Sequence, residues 1–361
     1  MLTHFDDYPI HQTPEPVAHT ASPSRNFYDR YFFNGYSPRG DFYFAVAMGL
    51  YPNRRVMDAS VSAVRGGRQF AVHASRRAPG ERSETRVGPI AIDVVEPMRT
   101  LRVRIAENEH GLSWEMLFRA RSEALEEPRA VRRHDGLVFM DSTRFTQFGT
   151  WEGELRVDGE TIALDVPGCR DRSWGERPVG EPPGGAPTAP GQVLFLWSPL
   201  QFDDAVAHLG TFEDDAGQPW HAHGVIAPTL EAGGEPEVAT HVAHRVQWIP
   251  GTRRSEGAEL DWTFLDGRTE TIRLEPLLTF QMLGLGYLNP DWGHGVWRGE
   301  DVVGGSQWTL KDMDPLDPRH IHVQQVCRAH WGEREGIGVL EQLAIGPHAG
   351  YGFESLFDGA K

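Results

Sequence analysis

Lysine is almost missing from this chain of 361 residues, occurring only as Lys311 and Lys361, so arginine carries nearly all the positive charge. Even so, the 51 acidic residues outnumber the 35 basic ones and leave a formal charge of −16. A nucleic-acid binder needs a basic face to neutralise phosphates, and docking on an anionic membrane needs the same, so neither partner is expected. Cysteine is also scarce. Cys169 and Cys327 can build neither a disulfide framework nor a four-ligand zinc site. Long apolar runs are missing: the longest, such as AVAMGL at 45–50 and VLFLW at 193–197, fall far short of the ~20 residues of a membrane span. The opening MLTHFDDYPIHQTPEP lacks the basic start and apolar run of a secretory signal. These absences together point to a soluble, cytoplasmic protein.

Familiar catalytic cradles are missing as well. There is no GxGxxG or P-loop to hold a nucleotide, no GxSxG nucleophile elbow and no HExxH. No cofactor is expected. Two His-x-His pairs, His221-Ala222-His223 and His320-Ile321-His322, would each set two imidazoles on one face of a strand, as β-barrel metal sites begin. No Glu follows either pair at three or four residues, so no metal ligands are assigned and a metal-dependent enzyme ranks last among the readings.

Turn chemistry is abundant. Gly66-Gly67, Asn108–Gly111, Asp158-Gly159, Asp214–Gly217 and Asp266-Gly267 each separate two stretches that alternate apolar and polar residues. Such dipeptides supply the positive φ of tight hairpins, and a period of two marks half-buried antiparallel strands. In RTETIRLEP, for example, Thr269, Thr271, Arg273 and Glu275 share one face and Ile272 and Leu274 the other. Helical periodicity is weak; a short helix within 119–133 is the one candidate, and Pro128 cuts it. The expected fold is all-β: two tandem antiparallel barrels or sandwiches with little helix. The polar residues 1–25 read as an N-terminal arm, 26–178 and 193–361 as the two domains, and the Pro/Gly-rich 179–192 as a linker or long loop.

Three segments hold more charge, glycine and aromatic residues than strand-building requires. In GCRDRSWGERP (168–178), strand alternation puts Arg170, Arg172 and Trp174 on one face and Asp171 and Ser173 on the other. Asp171 there is either a proton donor with a raised pKa or a structural partner for the neighbouring arginines. GLGYLNPDWGHGVWRG (284–299) offers Tyr287, Trp292, His294 and Trp297 in a glycine-rich frame, with His294 suited to acid/base work near neutral pH. In GIGVLEQLAIG (336–346), Glu341 stands alone among apolar neighbours, either facing a pocket or on the solvent side of an alternating strand.

These segments carry a resemblance. TRFTQFGTWEGELRVDGETIALDVPGCRDRSWGERP, YLNPDWGHGVWRG and GIGVLEQL resemble the two-domain lipocalin-like proteins related to hydroxyneurosporene synthase (carotenoid 1,2-hydratase) and AttH. They are closest to an uncharacterised bacterial branch with an R-D-R/H-S-W-G-x-R signature. The resemblance spans about residues 25–350 and implies two calycin-type β-domains with an apolar ligand cavity at or near their interface. Relatives include hydratases and fungal pericyclases. Where the carotenoid hydratases use a Tyr-His-Asp motif in proton transfer, this sequence reads Cys169-Arg170-Asp171. The Asp is kept and the Tyr is lost, so the resemblance implies a polar centre around Asp171 rather than the same mechanism.

The leading expectation is therefore a cofactor-free hydratase, dehydratase, isomerase or cyclase acting on a small hydrophobic molecule such as a terpenoid, steroid, polyketide or aromatic compound. Asp171 and His294 are the acid/base candidates, and Arg170 or Arg177 would hold an anionic substituent. Trp174, Tyr287, Trp292 and Trp297, with Glu341, would line the cavity. The alternative is a carrier that binds the same kind of ligand without chemistry.

Overall fold

The computed structural model describes residues 2–178 and 191–361. Most of the expected linker, 179–190, lies outside the described residues. All five turn signals join antiparallel strand pairs. The hairpin between Leu137–Val157 and Glu160–Glu176 turns on Asp158 and Gly159, both with positive φ, as the twist of the flanking strands favours. The helix expected within 119–133 does not form. Leu125–Glu126 and Ala130–His134 are instead short strands paired with Leu137–Val157. A further Asp-Gly turn at Asp135 and Gly136, again with positive φ, folds the second of them back, and Pro128 between them has no amide hydrogen for a helix.

Among the described residues the strands form two antiparallel sheets, of thirteen and nine strands. The first holds the N-terminal strands together with Val302–Thr309, which comes from the C-terminal half and pairs with Arg68–Arg77. The second runs from Pro219–Pro228 through Val193–Gln201 and Arg334–Ile345 to His241–Trp248. It curls until its ends meet, where the Ala239 amide donates to the Gly224 carbonyl at 2.9 Å. The first curls in the same way, bringing Gly88 beside Ala74 and Val303. This all-β pair of curled sheets has the architecture of tandem lipocalin-like barrels. No helix among the described residues is long and apolar enough to cross a membrane.

Three apolar layers follow from the strand alternation. Phe33, Phe44, Val46 and Trp151 fill the inside of the first sheet, and Leu196, Leu200, Leu260 and Trp262 fill the inside of the second. Between the sheets, Phe32, Tyr43, Ala45 and Phe148 from the first pack against Phe195, Trp197, Phe280 and Val339 from the second. Strands Phe42–Tyr51 and Val193–Gln201 are thus buried on both faces. That is why their sequences, which contain the two apolar runs, do not alternate.

Close packing beside this middle layer depends on a row of glycines. Gly35, Gly168 and Gly149 are register partners on three adjacent strands. A Cβ at Gly168 would lie 2.2 Å from the Asn34 carbonyl oxygen and 2.6 Å from the Trp151 indole nitrogen, which donates to that same carbonyl at 2.8 Å. We expect Gly168→Ala to lower stability by about 1–3 kcal/mol through overpacking. Gly191→Ala, whose Cβ meets nothing within 4 Å, should leave it within about 0.5 kcal/mol. Urea midpoints of the two variants check the contrast.

Candidate active site

The middle layer does not fill the whole space between the sheets. At one end it opens into a cavity of about 920 Å³. One wall is built by three neighbouring strands whose register fixes the polar groups: Phe32, Asp171 and Thr146 form one cross-strand row, and Arg30, Ser173 and Arg144 the next. The other wall includes Phe195, Phe212, His221, Glu341 and Leu343 from the second sheet. The segment 284–299 brings Tyr287 and His294 to the cavity from the side.

Asp171 is half-buried and borders the cavity. Among the described residues no hydrogen bond or ion pair reaches its carboxylate. The arginines beside it in sequence are engaged elsewhere. Arg170 donates to Gln147 at 2.8 Å, Arg172 pairs with Asp29 at 2.8 Å, and Arg177 lies over the Tyr28 ring at 4.5 Å. Burial pushes the Asp171 carboxyl up to about 6; Arg144 and Arg177 oppose the rise, and the Glu127 and Glu341 charges add to it.

Two other acids border the cavity, and both have partners. Glu127 forms a bidentate pair with Arg144, with contacts of 2.7 and 2.6 Å, and also accepts from the Thr146 hydroxyl at 3.3 Å. Burial works against its charge, but Arg144, with His208 and His223 beyond, holds it down to about 2. Glu341 bonds His322 Nε2 through one oxygen and accepts from the Gln324 amide through the other, both at 2.6 Å. Gln324 in turn accepts from the Tyr43 hydroxyl and the Asn34 amide, and Asn34 Oδ1 accepts from the Cys169 amide at 3.0 Å. This buried chain links the two sheets directly behind Asp171.

His294 is held on both nitrogens. Its Nε2 lies 2.9 Å from the Leu285 carbonyl, which can only accept, so Nε2 carries the hydrogen and Nδ1 accepts from one Arg30 terminal nitrogen at 2.8 Å, while the other Arg30 terminal nitrogen lies 2.8 Å from Nε2 without an acceptor there. Burial first, and then the Arg30 and Arg177 charges, keep the ring well below the usual histidine pKa. His294 is thus a neutral imidazole locked against Arg30, with the Tyr287 ring edge-on at 4.4 Å.

The structure therefore gathers Asp171, Arg177, Tyr287, His294 and Glu341 around one cavity. It does not bring the other candidates there. Arg170 and Trp174 lie on the opposite face of their strand, where Arg170 covers Phe145 and Trp174 is 39 % exposed. Trp292 stacks on His73 at 5.3 Å, and Trp297 lies under Arg77, 44 % exposed. Sequence reasoning missed Arg30, Glu127 and Arg144. The available signal for Arg30 was a charge set between the aromatic residues Tyr28 and Phe32 on one face of a strand.

The histidine pairs divide. His221 borders the cavity, while His223 sits buried beside His208, with ring centroids 5.9 Å apart. His320 and His322 precede the strand Val323–Trp331 instead of lying in one, and they turn to different partners, the Asp314 carbonyl and Glu341. Among the described residues no group of three ligating side chains is arranged to hold a metal ion.

Comparison with solved structures places this fold among known ones. A provisionally named AttH from Nitrosomonas europaea superposes with a TM-score of 0.57 at 13 % identity, covering 88 % of this chain and 92 % of that one. Kievitone hydratase from Nectria haematococca gives 0.52 at 13 % identity over 95 % and 96 % of the chains. CghA bound to Sch210972 gives 0.51 at 12 % identity over 89 % of each. At these identities the likeness is one of fold. No curated protein matches the chain significantly. Residues 2–354 match a single family along almost their whole length, and the chain belongs to it: the Family of unknown function (DUF8625).

Proposed function

We propose that the protein is a cofactor-free proton-transfer enzyme of hydratase, dehydratase, isomerase or cyclase type, acting on a small hydrophobic molecule held between the two sheets. The observation that carries this reading is Asp171: an unpaired carboxyl bordering a large cavity, with its pKa pushed up by burial to about 6. A carboxyl in that range is a competent acid and a competent base at cellular pH. In the hydratase direction the Asp171 O–H bond breaks and the proton passes to an alkene carbon. Water adds to the cation left behind, and a proton from that water returns to the carboxylate, for a net addition of one water. Isomerisation differs only in that the returning proton leaves a neighbouring carbon. The solved structures that share the fold include kievitone hydratase, whose name fits this reaction class. His294, committed on both nitrogens, serves to position Arg30 and the 284–299 segment rather than to exchange protons.

The test is incubation of the protein with a panel of terpenoid and polyketide alkenes in D₂O, read by mass spectrometry for deuterium incorporation or an added water. Asp171→Asn should reduce turnover by roughly 10²–10⁴-fold while leaving binding intact. Where Asp171 acts as the acid, the parent's rate should rise as pH falls through about 6. A variant that exchanges deuterium as fast as the parent sinks the assignment, and binding with no exchange by either protein favours a carrier.

Stability gives an independent reading of the same side chain. A carboxyl whose folded pKa is raised from 3.8 to about 6 binds its proton more tightly folded than unfolded. Its contribution is fully present below about pH 4 and is lost as pH rises through about 6. Relative to Asp171→Asn, the parent should therefore lose up to roughly 3 kcal/mol between those limits, read as urea midpoints at pH 4 and 7.5. A structural ion-pair partner would show the opposite sign, with the variant less stable by about 3–5 kcal/mol at neutral pH.

A further inference from the structure

Among the described residues, two guanidinium groups at one corner of the cavity have no acid to hold. Arg30, 2 % exposed, touches only the neutral His294 ring and the face of Tyr287, and its Nε is buried without a partner. Arg177 lies over Tyr28 and meets the Tyr287 side chain. Among the described residues no carboxylate forms an ion pair with either. The nearby acids are otherwise occupied. Glu127 is taken by Arg144, and Glu341 by His322 and Gln324. Asp58 accepts from the Gly295 amide at 2.6 Å and acts on Arg30 only at a distance. Asp171 touches neither arginine. A fourth cavity arginine, Arg132, is half-exposed over Trp220.

Two cations, Arg30 buried and Arg177 half-buried, so close that both act on one imidazole are costly unless an anion completes them. The surroundings are otherwise apolar: Phe32, Val193, Phe195, Phe212 and Leu343 line the same space. The geometry points to an organic acid as the ligand: we propose that a carboxylate or comparable oxyanion is received by Arg30 and Arg177, with its apolar body lying along the aromatic wall toward Asp171. This rests on the reading of the cavity as a ligand site and is independent of whether chemistry follows. Guanidinium forks suit a planar oxyanion, and hydrogen bonds between two charged groups are the stronger kind. His294 supports the arrangement, because its Nδ1 accepts from Arg30 and holds that guanidinium toward the corner without neutralising it.

The experiment uses matched probes that differ only in charge: 1-naphthaleneacetate against 1-naphthaleneacetamide, and decanoate against decanamide, titrated calorimetrically at pH 7.5. The acids should bind roughly 10- to 100-fold more tightly than the amides. Arg30→Gln and Arg177→Gln should each bring the acid toward the level of its amide while leaving amide affinity unchanged. The melting temperature of each variant, read beside that of the parent, checks that the fold is kept. Should Arg30→Gln fail to fold, Arg177→Gln and Arg177→Lys carry the test, with Lys restoring part of the preference. Amides that bind as tightly as acids, or variants that keep the full preference, overturn the anion site while leaving the cavity a ligand site. Failure of all four probes to bind at millimolar concentration overturns both.

Discussion

Everything in this molecule depends on two curled sheets packing back to back through faces that are apolar on both sides. Tyr43 and Ala45 point to the partner sheet while Phe44 and Val46 point into their own, and Phe195 and Trp197 do the same against Leu196 and Leu200. Burying side chains on both faces of a strand leaves its polar atoms nothing to bond but neighbouring strands, so the central strands are fixed in register along their whole length. That rigidity carries into the cavity wall. Asp171 continues the strand that includes Gly168, and it faces the same side as Cys169, which is buried in the middle layer. Its carboxyl has a single place to point, where the two sheets part.

The site's electrostatics follow from which acids gain a partner there. Three carboxyl groups border one cavity. Glu127 touches a guanidinium with both oxygens and stays ionised down to about 2, whereas Asp171 touches none and rises to about 6. The strand register decides between them. Arg144 belongs to the row of Ser173, one step along from Asp171, and its guanidinium reaches Glu127 instead. Separating the pKa values of neighbouring acids is what lets one act as a fixed charge and another as a proton carrier.

Much of this could be read from the sequence, and what could not has a physical reason. Hairpins were legible because Asp-Gly and Gly-Gly turns constrain φ locally, and the RTETIRLEP alternation appears as exposed and buried residues in turn. The stretch 119–133 misled because its short strands pair only with Leu137–Val157, a contact with no local signature. For the site, alternation rightly separated Asp171 and Ser173 from Arg170, Arg172 and Trp174. It could not say which face would meet the cavity, because the face with the cations and the Trp is the outer one, where Arg172 pairs with Asp29 and covers Tyr31 at 3.9 Å. Trp292 and Trp297 looked like cavity residues by type, yet aromatic residues serve equally to seal a strand edge, as Trp292 does on His73 and Gly304. Glu127 and Arg144 were invisible as a pair, because they lie 17 residues apart and meet only once the stretch 125–134 pairs with Leu137–Val157.

The contrast between Arg144 and the Arg30–Arg177 corner bears on how the cavity works. Two guanidinium groups that serve the fold are matched by an acid inside the chain. Arg144 has Glu127, and Arg253 is held by Asp358 with four backbone carbonyl contacts around it. Arg30 and Arg177 have aromatic faces and a neutral imidazole in place of acids. Those neighbours hold the side chains in position while leaving their charge uncancelled, the condition under which an arriving oxyanion gains most from the low dielectric of the site. The same corner also bears on Asp171. Arg177 acts on its carboxyl to lower the pKa, and an anion that neutralises Arg177 weakens that pull. On the proposed reading, a bound acid would therefore raise the proton affinity of Asp171 in the occupied state, so that the charge proposed to anchor the ligand also tunes the proposed proton donor.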